Sequence, residues 1–419
     1  MEEISWDKLR KAMPQDGLLA DKEWLWSPEP FPLSKGQKRQ ISGLGQPLRR
    51  FQQASDELYR LSAEGRRDPW IAQVLDQGKP GWMRELQRQQ SDQRPRVIRP
   101  DLLLTEGGVA ISELDSVPGG IGVLAWLSQL YEDAGYRVYG GREGMLEGFR
   151  SLLPEGGTIL VSDESADYRP EMEWLAQQLG EDLSVARAED WVPDGRDVYR
   201  FFECFDYEQI PAVRELAEAG RMTPPLKPHL EEKAWLALLH TPSLKRLWQD
   251  QLRGSHWKRL KEIIPYGWVV DPSDIAPHAS LPKLNVFTWE EVGALSQRLR
   301  KLVLKISGFH KDAWGSRGVV IGHDVSAQEW QGALSRAIGD FGSQAWMMQE
   351  FAEAALVEHP FFDPRTRERK VMKGRVRLCP YYFEDQDGTV SFKGCLATIV
   401  PADKKKIHGM RDGILVPCV

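Results

Sequence analysis

The chain is short of cysteine, of long apolar runs and of positive charge, and each shortage removes a class of protein. Its four cysteines (Cys204, Cys379, Cys395 and Cys418) are widely scattered, with no CxxC pair. That argues against a disulfide framework or a structural zinc site, and the simplest reading is reduced thiols in a cytoplasm. No apolar stretch approaches the ~20 residues needed to span a bilayer, and the opening MEEISWDKLRKAM does not read as a signal peptide. Lys and Arg number 55 against 61 Asp and Glu, a net charge of −6. No membrane and no nucleic acid is therefore expected as the main partner.

What is present is an ordinary globular profile, 41% apolar and 28% charged over 419 residues. That length allows a large core and two or three domains. Tryptophan is abundant at 16 residues, most of them expected in the core or lining clefts.

Residues 1–95 are rich in Trp, Gln, Arg and Pro. FQQASDELYRLSAEG places Phe51, Leu58 and Leu61 at helical spacing and ends on Gly65, a fitting helix stop. PWIAQVLDQG and GWMRELQRQQ read as two more short helices. This helical N-terminal region carries no chemistry and is read as packing.

The chemistry begins at RPDLLLTEGGVAISELDSVPGG. Two apolar runs, Leu102–Leu104 and Val109–Ile111, flank the turn Glu106-Gly107-Gly108, which predicts a β-hairpin. A hairpin brings Asp101 at one end beside Glu113 and Asp115 at the other. Residues two apart on a strand share a face, so three carboxylates converge, with Arg99 beside them. Crowded carboxylates repel unless a cation neutralises them, and oxygen-only ligands suit Mg²⁺ or Mn²⁺. A solvated hairpin end reads the same way, and these residues alone leave both readings open.

Ser116, Gly119 and Gly120 follow in a glycine-rich turn that opens the helix VLAWLSQLYEDAG. Free N–H groups at such a turn could hold an anionic substrate group, or the turn is a plain connection. Residues 154–220 alternate strand and helix in a Rossmann-like unit, with Thr158–Val161 and DVYRFFECF as strands and a helix from Tyr207 towards Gly220. Asp163, Glu164 and Ser165 follow a strand end, where α/β ligands often bind. Three prolines in RMTPPLKPH mark a boundary. Helices are expected over LEEKAWLALLH, SLKRLWQDQL, HWKRLKEII and WEEVGALSQRLRKL.

Leu302–Ile306 is an apolar strand carrying Lys305, and a lysine buried in a strand calls for an anion. The loop after it holds Gly315, Ser316, Arg317 and Gly318. Its flexible backbone, N–H groups and positive charge are what covering a triphosphate requires. It is neither a GxxxxGK[ST] loop nor a dinucleotide fingerprint. The later strand AWMMQEF ends in Gln349, Glu350 and Phe351, whose backbone could meet an adenine edge. Arg375 and Arg377 share one side of a strand further on, which suits phosphate. Asp403–Lys406 reads as a solvated charge run, and Arg411 is a minor loop candidate.

Taken together these pieces resemble an ATP-grasp enzyme, and more specifically the circularly permuted ATP-grasp of the glutathionylspermidine synthase family. There the metal-binding strands precede the lysine, glycine loop and adenine hinge, as Arg99-x-Asp101 and Glu113-x-Asp115 precede LVLKISGFHKDAWGSRGV and MMQEF here. The resemblance spans roughly residues 95–419. The family usually has Asn where Asp115 stands. The amidase domain of bifunctional members is absent. The second ATP-binding lysine matches Lys233 best, with Lys258 and Lys261 left open.

The resemblance implies an α/β (α+β) fold. Its parts are a helical region over 1–95, a metal-binding hairpin with a Rossmann-like pre-ATP-grasp region over 96–225, and an ATP-grasp region over 226–419. It also implies a cytoplasmic ADP-forming ligase that joins a small-molecule or peptide carboxylate to an amine through an acyl phosphate. Asp101, Glu113 and Asp115 would hold Mg²⁺ (or Mn²⁺). Lys233, Lys305, Gly315–Gly318 and Gln349–Phe351 would hold ATP. Arg99, Arg375 and Arg377 would stabilise charge, and Ser116, Gly119 and Gly120 would receive substrate. A homodimer is the default assembly. The rivals are a non-catalytic ATP-binding scaffold with a degenerate site and a kinase-type phosphotransferase.

Overall fold

Strands form where β-branched and apolar residues alternate or cluster between glycine and proline breaks. In chain order they are β1 (Val97–Thr105), β2 (Gly108–Asp115), β3 (Gly157–Val161), β4 (Leu183–Arg187), β5 (Val198–Phe201), β6 (Met222–Thr223) and β7 (Gly267–Val269). After these come β8 (Leu302–Ile306), β9 (Val319–Ile321), β10 (Trp346–Glu350), β11 (Leu356–Phe362), β12 (Arg369–Glu384), β13 (Val390–Pro401) and β14 (Ile414–Pro417). The computed structural model describes residues 4–14, 17–19, 23–274, 279–313, 315, 317–407 and 412–419. Ser316 and Arg411 lie outside the described residues. Among the described residues no helix is long and apolar enough to cross a membrane.

The chain divides into two compact units, and residues 1–95 are shared between them. The first comprises 1–49, 93–226 and 353–419. Its larger sheet is antiparallel, ordered β14-β13-β12-β1-β2. The 16-residue β12 is its spine, pairing β13 along one edge and sharing the other between β11 and β1. The β1–β2 hairpin forms as the alternation predicts, with Arg99 opposite Asp115 and Asp101 opposite Glu113. Pro100 has no N–H to donate. There the β1–β12 ladder is interrupted, between Ile98↔Tyr382 and Leu102↔Leu378.

The second sheet of this unit is parallel, ordered β4-β3-β5-β6. It is the Rossmann-like part. The helix expected from Tyr207 instead starts as a 3-10 turn over Cys204–Gln209, and an α-helix follows only at Val213–Glu218. Pro211 between them has no N–H to continue a helix.

The second unit comprises 50–92 and 227–352. Its antiparallel sheet runs β7-β10-β8-β9. The helix Ala327–Gly339 packs its buried Trp330, Ala333, Leu334 and Ala337 into a core with Leu302, Leu304, Trp346 and Met348. Residues 50–92 add the helices Pro69–Leu75 and Gly81–Gln89. The helix expected over 289–302 stops at Trp289–Gly293. Arg300, 2% exposed, turns back so that its Nη2 donates to Val325 O, and the chain leaves the helix to enter β8.

Candidate functional site

Each unit carries its own set of candidate residues. In the first unit they lie on one face of β2, β1 and β12. Residues two apart on a strand share a face, so Arg99 and Asp101 project together, as do Arg377, Cys379 and Tyr381. Arg99 ties three groups. Its Nε lies 3.0 Å from Asp101 Oδ1, its Nη2 lies 2.8 Å from Asp115 Oδ2, and its Nη1 donates to Gly119 O at 3.3 Å. Arg377 Nη1 donates to Asp101 Oδ2 at 2.7 Å, and the Cys379 thiol donates to Asp101 Oδ1 at 3.5 Å. Asp115 Oδ1 accepts from Val117 N–H at 2.8 Å.

This network decides the charge states. Burial alone would raise Asp101, but the Arg377 and Arg99 guanidiniums outweigh it and hold the carboxyl below its usual range. Asp115 goes the other way: burial lifts it, Arg99 opposes, and the Glu113 charge adds to the rise. Burial pushes the Cys379 thiol up to about 12, so it stays protonated and serves as a donor.

The expected cation site does not assemble. Among the described residues no group of three or more His, Cys, Asp or Glu side chains could hold a metal ion. Asp101, Glu113 and Asp115 do sit at one end of the hairpin, but the positive charge there comes from guanidiniums. Both oxygens of Asp101 are taken by Arg99, Arg377 and Cys379. The hairpin register puts these carboxylates at one end; spacing alone does not show that Arg99 and Arg377, two residues away and on β12, engage Asp101.

The substrate turn is also altered by a partner distant in sequence. The helix Ile121–Asp133 starts after Gly120, whose φ is +89°. Gly122 N–H donates to the Glu171 carboxylate at 2.9 Å, inside the protein. The helix dipole thus receives its anion from the chain itself. Gly119 offers its carbonyl, which accepts from the Tyr381 hydroxyl at 2.7 Å. A Cβ on Gly119 would lie 2.3 Å from Tyr168 Cε1. Ser116 is buried. These three residues therefore form a packed connection beside the arginine cluster.

Arg375 separates from Arg377. Its guanidinium donates to the carbonyls of Ala354 and Ala402 and fastens the backbone on both sides of β12. Asp163 pairs with Arg187, while Ser162 donates to Asp206 at 2.9 Å, so the strand-end acids of the parallel sheet are met internally.

The second unit gathers the lysines. Lys305, 8% exposed, sits in β8 between β10 and β9, and its Nζ donates to Gln349 Oε1 at 3.2 Å. Lys233 N–H donates to Ser307 O at 2.8 Å, and its Nζ donates to Ala313 O at 3.2 Å. Both lysines thus flank the exit of β8 into the glycine loop. Lys261 instead lies over the Trp257 ring at 5.1 Å, whereas Lys233 is hydrogen-bonded to the loop. Gly315 has φ +62°, and Gly318 passes so near Asp312 O and Ile306 that a Cβ would lie 2.7 Å from each. Arg317 Nη2 donates to Lys311 O at 2.7 Å.

The hinge differs from expectation in one respect. The N–H of Glu350 donates to Tyr266 O at 2.8 Å and that of Phe351 to Lys301 O at 2.9 Å. These backbone donors are already used within the unit. The Glu350 carboxylate pairs with Lys283 at 2.8 Å on the surface.

Sequence reading missed the buried charges contributed by residues 50–92. Lys79 pairs with Glu232, both side chains at most 1% exposed. Asp56 accepts from Lys227 Nζ at 2.9 Å and lies 2.9 Å from His229 Nε2. Asp56 sits on the helix Gly45–Ala63 and Lys79 in a turn between helices, and neither position alone signals burial.

The architecture is an α/β, ATP-grasp-like fold. Among solved structures it is similar to a glutathione synthetase-like effector from Globodera pallida in its apo form. The TM-score is 0.55 at 10% identity, covering 94% of this chain and 89% of that one. A protein assigned as a gamma-glutamylcysteine synthetase from Methylobacillus flagellatus KT matches at a TM-score of 0.38 and 12% identity, over 89% of this chain and 84% of that one. No family model and no curated protein matches the sequence.

Proposed function

We propose that this chain is an ATP-dependent ligase of the ATP-grasp type that joins a carboxylate to an amine, in the manner of glutathionylspermidine synthase. One observation carries the reading: Lys305 and Lys233 are both anchored at the exit of one strand into a glycine loop. Two ammonium groups and a close-approach backbone form a grip for adjacent phosphates. The order of the segments, with the arginine–carboxylate hairpin first, supports the permuted arrangement.

In this reading a substrate carboxylate oxygen attacks the γ-phosphorus of ATP and ADP leaves. The amine nitrogen then attacks the acyl carbon and phosphate leaves. Positioning and charge neutralisation do most of the work in the first step. Lys305, Lys233 and the loop hold the nucleotide, whose magnesium arrives with it. Arg99 and Arg377 are the candidates to stabilise developing charge. Arg375, committed to two carbonyls, has a positioning role. The acid is a small molecule or peptide.

A second reading has its own support. Because both oxygens of Asp101 are engaged, a non-catalytic nucleotide-binding protein would present the same cluster. Incubation with MgATP and pooled amines and carboxylates separates the two. The ligase releases ADP in an amine-dependent way and yields a product with the mass of an amide. Binding without ADP supports the scaffold, and a stable phosphorylated product supports a kinase.

A further inference from the structure

We infer that the buried Lys79–Glu232 ion pair positions Lys233 and the stem of the glycine loop for nucleotide binding, without touching the nucleotide. The inference rests on the ATP-binding reading of this loop.

The pair is an expensive way to build a core. Withdrawing two charges from water costs several kcal/mol per ion before their attraction returns any of it. Lys79 and Glu232 are withdrawn almost completely, with side chains 0% and 1% exposed. Among the described residues none donates a hydrogen bond to Glu232 Oε2. Buried polar atoms are nearly always paired, so an exception of this kind needs a reason beyond stability.

The location supplies the reason. Glu232 immediately precedes Lys233. Lys233 N–H is held by Ser307 O at 2.8 Å, and the next N–H, of Ala234, donates to Ser307 Oγ at 2.9 Å. Ser307 follows β8, two residues after Lys305. Gly308 then passes directly over the Glu232 carboxylate, where a Cβ would lie 3.0 Å from Cδ and 3.1 Å from either oxygen. The Lys79 ammonium sits 5.2 Å from the centre of the Phe309 ring. Phe309 itself is half-buried and has φ +40°, an uncommon conformation for a non-glycine residue. Gln344 Nε2 donates to Gly308 O at 2.9 Å on the remaining side.

The pair therefore packs against Gly308 and Phe309, and the two residues after Glu232 hold Ser307, at the point where the loop leaves the sheet. It also fixes the residue before Lys233. The distance between the two lysines of the phosphate grip is set through this stem. Lys79 lies in the connection between the helices Pro69–Leu75 and Gly81–Gln89, so residues 50–92, which carry no chemistry of their own, contribute the anchor.

The test replaces both charges together, since removing one alone strands the other. In Lys79→Met/Glu232→Met the apolar side chains keep the volume. We expect the melting temperature to stay close to wild type while MgATP affinity falls about tenfold, the scale of one charged hydrogen bond. Adding Lys233→Met to that variant should cost nothing further, because the pair acts through Lys233 and coupled residues are non-additive. Unchanged affinity in the folded double variant would overturn the inference, as would losses that simply add. Wild-type protein that fails to bind MgATP overturns it too, by removing the ATP-binding reading beneath it. That outcome is distinct, because it precedes any mutation.

Discussion

Arg377 and Asp101 meet across β12 and β1, Nη1 to Oδ2, at 2.7 Å, in the stretch where Pro100 interrupts the ladder. The ion pair holds the two strands together where the backbone does not. Asp101→Ala would leave Arg377 and Arg99 without their shared carboxylate in a mostly buried place. The expected loss is about 3 kcal/mol of unfolding free energy, read from urea denaturation. The arginines make Asp101→Ala a variant of stability as well as of the proposed activity. An Asp101→Ala protein as stable as wild type would remove the pair's structural role.

Lys305 and Glu350 belong to neighbouring strands and together test the extent of the proposed nucleotide grip. Lys305→Met should weaken MgATP binding by about tenfold or more, the loss of one charged contact. Glu350→Ala should bind normally, because its carboxylate faces Lys283 at the surface. Titration calorimetry of the two variants reads this directly. Equal losses would place the Glu350 side chain in the grip.

Gly119 is required by Tyr168. An alanine there would bring Cβ within 2.3 Å of the ring, and overpacking of this kind costs roughly 2 kcal/mol. Gly119→Ala should therefore lower the melting temperature, and a second change of Tyr168→Ala should recover part of it. A Gly119→Ala protein with unchanged melting would mean that the ring moves aside freely.

Three buried histidines contribute to the acid limb of stability. Burial drives His229, His240 and His359 down to about 4, against the opposing pull of their acceptors. Unfolded, each takes up its proton near 6.5. Between those values the unfolded chain binds more protons, so stability falls as pH drops from about 6.5 towards 4, by up to about 3 kcal/mol per histidine. His359, held by Ser27 at 3.0 Å, is the simplest to test. His359→Gln should flatten the pH dependence of the urea midpoint over that window. An unchanged slope would show that His359 is protonated in the folded chain.

Periodicity carried the local structure well. The hairpin, the β8 lysine strand and the helix Ala327–Gly339 each follow from alternation or helical spacing within a short window. Partners far along the chain were not legible. Glu171 caps the helix after Gly120 from 49 residues away, Arg377 reaches Asp101 from 276 away, and Lys79 pairs with Glu232 across 153. In each case one member looked like an ordinary charged residue until folding supplied the other. The 289–302 segment failed for a different reason. Its helical spacing is real, but buried Arg300 and the entry to β8 override it.

The second unit is assembled from two stretches of chain, 50–92 and 227–352. During synthesis the first stretch leaves the ribosome and then waits for residues 93–226, on the order of ten seconds at about 5–20 residues per second. Throughout that interval Asp56 and Lys79 remain hydrated, and Ile71, Leu75 and Met83, buried in the finished protein, lack the rest of their unit. A nascent chain of this protein therefore carries an early hydrophobic helical segment that only late residues can shelter. Any fragment ending before residue 227 carries it permanently, which makes such fragments natural clients for chaperones and proteases.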